Sequence, residues 1–315
     1  MALSRRDFLT SSAAALGAGV LSQPLLGRAW QQQPQPAMPP AQGQAPQWTP
    51  TFTEIRRGVG QYQGRGGSIG YLINAGGVVA VDSQYPDSAK AFVTGLGERS
   101  KNRPVDLLIN THHHGDHTAG NIAFKGVAKK VVSTAFAANL VKQATEAPNG
   151  AENLVPDATF TDTWREQIGD EWVSAKWYGR AHTGGDATIT FERANVVHMG
   201  DLMFNRRIPV IDRVNGAIVA NWVNVIEKAA ADHSADTIYI FGHAGANQPM
   251  TGARAELMFF RDYLTALLEH TRAAVKAGQT REQFTATTPT LTGFEVFGAH
   301  RANTLGILFD EITTK

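Results

Sequence analysis

Thr111-His112-His113-His114-Gly115-Asp116-His117 follows directly on the apolar run Leu107-Leu108-Ile109. Ten histidines stand among 315 residues. Chance would place roughly 0.2 of them in a six-residue window, yet residues 112–117 hold four, a bias of the kind that binds metal. The apolar run reads as a buried strand, and α/β proteins build their sites at strand ends. A tight loop there can aim His112 and His114 one way and Asp116 and His117 the other. That pattern supplies two ligands to each of two neighbouring ions.

Three later segments also end or begin strands and offer one ligand apiece. Ala181-His182-Thr183-Gly184-Gly185-Asp186 precedes a predicted strand, Met199-Gly200-Asp201 follows Val196-Val197, and Phe241-Gly242-His243 closes the strand that starts at Thr237. A lone histidine is more often a satisfied polar residue. Taken in this order, however, the three complete two sites: His112, His114 and His182 for one ion, Asp116, His117 and His243 for the other, with Asp201 reaching both. There is no cysteine, so thiolate ligands, thiolate nucleophiles, disulfides and iron–sulfur clusters are excluded. Imidazole and carboxylate suit zinc, and also iron or manganese.

These residues resemble the metal motifs of the metallo-β-lactamase-fold hydrolases over roughly residues 52–250. The resemblance implies an α/β fold, a four-layer αββα sandwich with the metal site at one edge of its two sheets. It implies two zinc ions bridged by Asp201, with Asp82, which ends Val78-Val79-Ala80-Val81, bracing the metal loop. Thr111 and Thr183 are expected to hydrogen-bond around the ligands and fix their geometry. Two metal ions about 3.5–4 Å apart bring the pKa of a shared water toward neutrality, so no protein nucleophile is needed. Asp116 is expected to orient that water and relay a proton, as a general acid–base group does.

The expected activity is cleavage of a small ester, lactone, thioester or amide. Alternatives are a β-lactamase of the cysteine-free class, an iron-dependent oxidoreductase resembling persulfide dioxygenases, and a metal-binding relay protein without catalysis. Nucleic acid is not an expected partner, because 29 basic side chains face 28 acidic ones for a net charge of +1. His113 is expected to make a structural hydrogen bond and His198 to pack within its strand. The loop Asn205-Arg206-Arg207-Ile208-Pro209 is read as solvated, or as a cover over the metals whose arginines bind a substrate carboxylate.

The N-terminal side carries a different message. Ser4-Arg5-Arg6-Asp7-Phe8-Leu9 leads into the soft apolar run Ala13–Leu21, the layout of a twin-arginine export signal. Residues 1–29 are therefore expected to be recognised by the twin-arginine machinery and to direct the protein to the periplasm or beyond, with no membrane association after processing. Residues 30–51 follow as a disordered linker; between 31 and 50 there are six prolines, seven glutamines and no charge. The folded domain is expected over 52–315. Its strand–helix alternation is α/β: strands near 69–73 and 78–81 joined by a turn at Gly76-Gly77, a helix opened by Pro86, and a long helix over 256–276 stopped by Gly278. Thr280 and Gln283 predict a capping box for the last helix.

Overall fold

The structure, a computed structural model, describes residues 48–314. The segments expected to be an export signal and, for the most part, a linker lie outside the described residues. The first sheet is laid down in chain order: β1 (Thr51–Arg56), β2 (Val59–Gln63), β3 (Ile69–Asn74), β4 (Gly77–Val81), β5 (Leu107–Ile109), β6 (Val131–Thr134) and β7 (Ala158–Phe160). The β1–β4 segment is an antiparallel meander, and β4 to β7 run parallel. The parallel steps need crossovers. These are made by α1 (Pro86–Ser100), by the segment holding the four-residue α2 (Gly115–Thr118), and by α3 (Ala135–Glu146).

The second sheet has the order β15-β13-β11-β10-β9-β8. Its strands are β8 (Thr163–Ile168), β9 (Glu171–Trp177), β10 (Ala187–Phe191), β11 (Val196–His198), β13 (Ile238–Ile240) and β15 (Thr251–Gly252). Between them β12 (Phe204–Asn205) and β14 (His243–Ala244) form a short parallel ladder of their own. Helix α4 (Val219–Ala231) crosses from β12 to β13, and α5 (Arg254–Lys276), α6 (Arg281–Thr285) and α7 (Ala302–Thr313) complete the chain.

Side-chain alternation assigns each strand residue to a layer. Val79 and Val81 face inward with Leu107, Ile109 and Val132, and meet Val173, Ile189, Phe191 and Val196 of the second sheet. Their neighbours Val78, Ala80 and Leu108 face outward and pack with Phe92 and Leu96 of α1. On the far side Val197 and Tyr239 pack with Trp222, Val225, Phe260 and Leu264 of α4 and α5. The result is the αββα sandwich, with both faces of the parallel segment covered, as parallel sheets require.

Local details differ from the sequence reading in two places. Gly77 already pairs with Asn74 as a strand residue, so the hairpin turn is Ala75-Gly76, closed by the Asn74 side-chain carbonyl, which accepts from the backbone N–H of both glycines. The Thr280/Gln283 capping box is present, but it opens α6, and α7 follows it. Gly306 conceals α7 in the sequence, since a mid-helix glycine costs about 1 kcal/mol. In the fold the Arg281 guanidinium packs against its Cα, where a Cβ at 306 would displace it.

Candidate metal centre

The parallel order of β4 and β5 sets their C-terminal ends side by side, and the site grows from that edge. Directly after β4, Asp82 takes a left-handed backbone conformation (φ 64°). Such a residue costs about 1–3 kcal/mol and persists only where its surroundings hold it. The fully buried Asp82 carboxylate is held by three donors: the Thr111 backbone N–H, the Thr111 hydroxyl and His117 Nδ1–H, each at 2.8 Å. The parallel pair β11 and β13 does the same on the second sheet, bringing Asp201 and His243 together. The loop before β10 contributes His182.

Two groups of ligand atoms form. His112, His114, His182 and Asp201 lie together, and so do Asp116, His117 and His243. His114 Nδ1 is 3.0 Å from His182 Nε2, and His117 Nε2 is 3.4 Å from His243 Nε2. Asp201 stands between the groups: Oδ1 is 3.0 Å from His117 Nε2, while Oδ2 is 3.4 Å from both His182 and His243 and 3.8 Å from His112. Asp116 Oδ2 is 3.1 Å from His243 Nε2. Its side chain is the most open of the seven, 24% exposed, so it faces the approach to the centre.

The outer nitrogen of four of the rings is engaged, which leaves the inner lone pair for a cation. His112 Nδ1–H donates to Thr111 Oγ1 (3.0 Å), His114 Nε2–H to Asp212 Oδ2 (2.9 Å), His182 Nδ1–H to the Val210 carbonyl (2.8 Å), and His117 Nδ1–H to Asp82. His112 Nε2 and Asp201 Oδ1 are buried with no hydrogen-bond partner. Converging lone pairs and an orphaned carboxylate oxygen, all desolvated, are what a metal ion would satisfy. The donor set therefore fits metal binding: His112, His114 and His182 would hold an ion on one side and Asp116, His117 and His243 on the other, with Asp201 between the groups.

Electrostatics separate the two sides. Burial pushes His112 well below the ordinary imidazole range, reinforced by His117, and pushes His182 down to about 3. For His117 burial acts the same way, but the carboxylates of Asp201, Asp116 and Asp82 outweigh it and raise the ring well above its ordinary value. His243 is raised too, with Asp201 and Asp116 overcoming its burial. Burial would raise Asp116, yet His117 and His243 bring it to about 2.

The structure brings all seven sequence-predicted ligands into this one centre. Thr111 touches His112 and Asp82, as expected of a residue that fixes ligand geometry. Thr183 works at one remove: its N–H and hydroxyl both donate to Asp186, which burial raises to about 6, and the pair shapes the loop carrying His182. His198 is a packed strand residue that accepts from the Gly200 N–H, and His113 approaches Asp212 at 3.4 Å. Arg207 Nη1 lies 3.4 Å from His243 Nδ1. Sequence reasoning missed Asp212, the Val210 carbonyl and Gly67, whose Cβ would collide with the His117 ring. Phe204 stacks on His243 (5.2 Å, 20°), and Trp222 abuts His182 at 5.4 Å.

The sequence profile of the Metallo-beta-lactamase superfamily matches residues 64–243, which span β3 to the last metal ligand. The chain belongs to the metallo-beta-lactamase superfamily, generally metal-dependent hydrolases. It is similar to Metallo-beta-lactamase IND-1 of Chryseobacterium indologenes (26% identical; 55% of this chain, 70% of that one). It is equally similar to Metallo-beta-lactamase type 2 of Bacillus sp. (strain 170), at 26% identity over 56% of this chain and 66% of the relative. The likeness thus spans about two thirds of those relatives' length. Among solved structures, the stereoselective inverting sec-alkylsulfatase Pisa1 from Pseudomonas sp. superposes with a TM-score of 0.67. That match covers 84% of this chain and 50% of the sulfatase at 14% identity, a likeness of fold alone.

Proposed function

We propose that this chain is an exported, dinuclear zinc hydrolase that cleaves a small ester, lactone, thioester or amide. The observation that carries the reading is Asp201, a buried carboxylate whose Oδ2 lies equally near His182 and His243 of the two ligand groups and whose Oδ1, beside His117, has no hydrogen-bond partner. Two zinc ions, when bound, supply Lewis acidity and bring water toward ionisation at neutral pH. The chain's own residues do the rest. Asp116, held low by its histidine neighbours, stays a carboxylate at neutral pH. It is suited to orient an attacking water and to pass its proton toward the leaving group. Asp82, Asp212 and Val210 hold the rings so that nothing has to reorganise as charge develops. Phe204 and Trp222 close the apolar floor.

Elemental analysis of protein purified from the periplasm, with turnover of lactone, thioester and ester panels, tests the proposal. About two zinc per chain with hydrolysis is the expected result. One iron per chain, or two zinc without hydrolysis of any member, would sink it. Similarity to two metallo-beta-lactamases supports a second reading, a β-lactamase that uses no cysteine, and β-lactams belong in the same panel. For export, Arg5→Lys with Arg6→Lys is expected to leave the precursor in the cytoplasm in a fractionation experiment; unchanged periplasmic yield removes the twin-arginine route.

A further inference from the structure

The loop that carries Arg206, Arg207 and Val210 lines a cavity of about 400 Å³, a size typical of small-ligand sites. Its other wall is the start of α7, which lies beyond the segment matched by the superfamily profile. Arg206, Arg207 and Arg301 all line it, beside an apolar surface of Ile208, Phe297 and Ile307. Among the described residues none of the three arginines forms an ion pair. No carboxylate lines the cavity, so its arginines give it a positive potential that favours an anion.

The arginines are also held. Arg206 has a left-handed backbone (φ 52°), its Nη1 donates to Asn205 Oδ1 (2.6 Å), and its guanidinium lies 5.1 Å from the Phe259 ring. Asn205 is fixed in turn by donation to the Pro249 carbonyl (2.8 Å). Arg301 is the N-cap of α7, whose first turn no side chain caps, so Asn303 and Thr304 bring the positive end of a twelve-residue helix to the cavity. The wall is shared with the metal centre. The Val210 carbonyl accepts from His182 Nδ1–H, and Arg207 stands beside His243.

We infer that this cavity is a binding pocket for an organic anion, an acidic head group on a short apolar body. As an anion pocket it stands whether or not the chain is a hydrolase. The test is therefore a binding measurement with no turnover. Calorimetric titration uses hexanoate, hexyl sulfate and neutral hexanol against metal-loaded protein and chelator-stripped protein. Hexanoate or hexyl sulfate is expected to bind both forms, with hexanol at least about tenfold weaker; whichever anion binds more tightly assigns the head group. Arg301→Gln is expected to weaken the anion about tenfold and leave hexanol unchanged, while Arg301→Lys restores part of the loss. Anion binding that vanishes with the metals, that ignores Arg301→Gln in a folded variant, or that hexanol matches would overturn the pocket. Anion binding in a protein that hydrolyses nothing would leave the pocket standing and remove the hydrolase reading.

Discussion

The two halves of the metal centre use the same ring to opposite ends. His112 and His182 are driven toward neutrality by burial, and a neutral imidazole is ready to bind a cation. His117 and His243 are just as enclosed, but carboxylates surround them, and in the metal-free chain these rings favour the proton. A cation entering the first half displaces nothing; one entering the second must displace protons. The first half should therefore be the tighter and less pH-sensitive of the two. Asp201 belongs to both, and its removal should erase the difference. Asp201→Ala is expected to lower metal affinity by more than about 100-fold on both sides and to abolish turnover, since losing a mere partner of a ligand costs about 10–100-fold. A variant that keeps two metals and full activity takes Asp201 out of the mechanism.

The braces separate the halves more finely. Asp82 holds His117 directly and His112 through Thr111, whereas Asp212 holds His114, with its backbone N–H near the His182 carbonyl at 3.3 Å. Asp82→Ala is accordingly expected to weaken both metals, about 10–100-fold each, and Asp212→Ala the first alone. Metal content after dialysis against graded free zinc distinguishes them. Equal loss of both metals in Asp212→Ala would mean that the halves are not separately braced.

Acidification provides the next break. As pH falls through the raised range of His117 and His243, protons compete with the second cation, while His182 stays neutral down to about 3. Dialysis from about pH 8 to about pH 5.5 is expected to release one metal equivalent well before the other. Simultaneous release is the contrary result. The metal-free chain shows the same division in its stability. The raised histidines stabilise the fold below the ordinary value of 6.5 and lose that contribution as pH rises through their higher folded value. The depressed His182 contributes fully above 6.5 and loses its contribution as pH falls toward about 3.

The seven clustered His and Asp residues were legible because metal chemistry restricts residue type and α/β topology restricts place: each lies just beyond a strand end or in a loop between strands. The braces were legible only where a pattern marked them. Asp82 ends a strand and could be read. Asp212 is one aspartate in a loop, Val210 acts through a backbone carbonyl, and neither carries a sequence signal. Gly67 is one of several glycines near β3, and only the packed His117 ring shows why a side chain is refused there. Among the elements, β8 escaped notice because its exposed face alternates Thr163, Arg165 and Gln167 with partly covered Trp164 and Glu166, the mark of an edge strand rather than a core one.

Thr111 and Thr183 make the smallest contrast and the one least visible in sequence, since each adjoins a metal-ligand histidine. Topology gives them different tasks. The Thr111 hydroxyl accepts from His112 and donates to Asp82, so it links the two halves. The Thr183 hydroxyl donates to the buried Asp186 and meets no ligand. Thr111→Val is expected to lower the affinity of both metals toward the 10-fold end of the range for lost ligand partners. Thr183→Val removes a hydrogen bond to a carboxylate, about 1.5–3 kcal/mol, and the one the hydroxyl accepts from the Gly185 N–H, about 0.5–1.5 kcal/mol, and at neutral pH its cost should appear in thermal unfolding rather than in metal binding. Because burial already raises Asp186 to about 6, losing the hydroxyl raises it further, and the penalty for ionising that carboxylate grows. The unfolding deficit of Thr183→Val should therefore be larger at pH about 8 than at pH about 5, where the protonated carboxyl needs the donor less. A deficit that is equal at both pH values, or a metal loss matching that of Thr111→Val, would show that Thr183 acts on His182 directly.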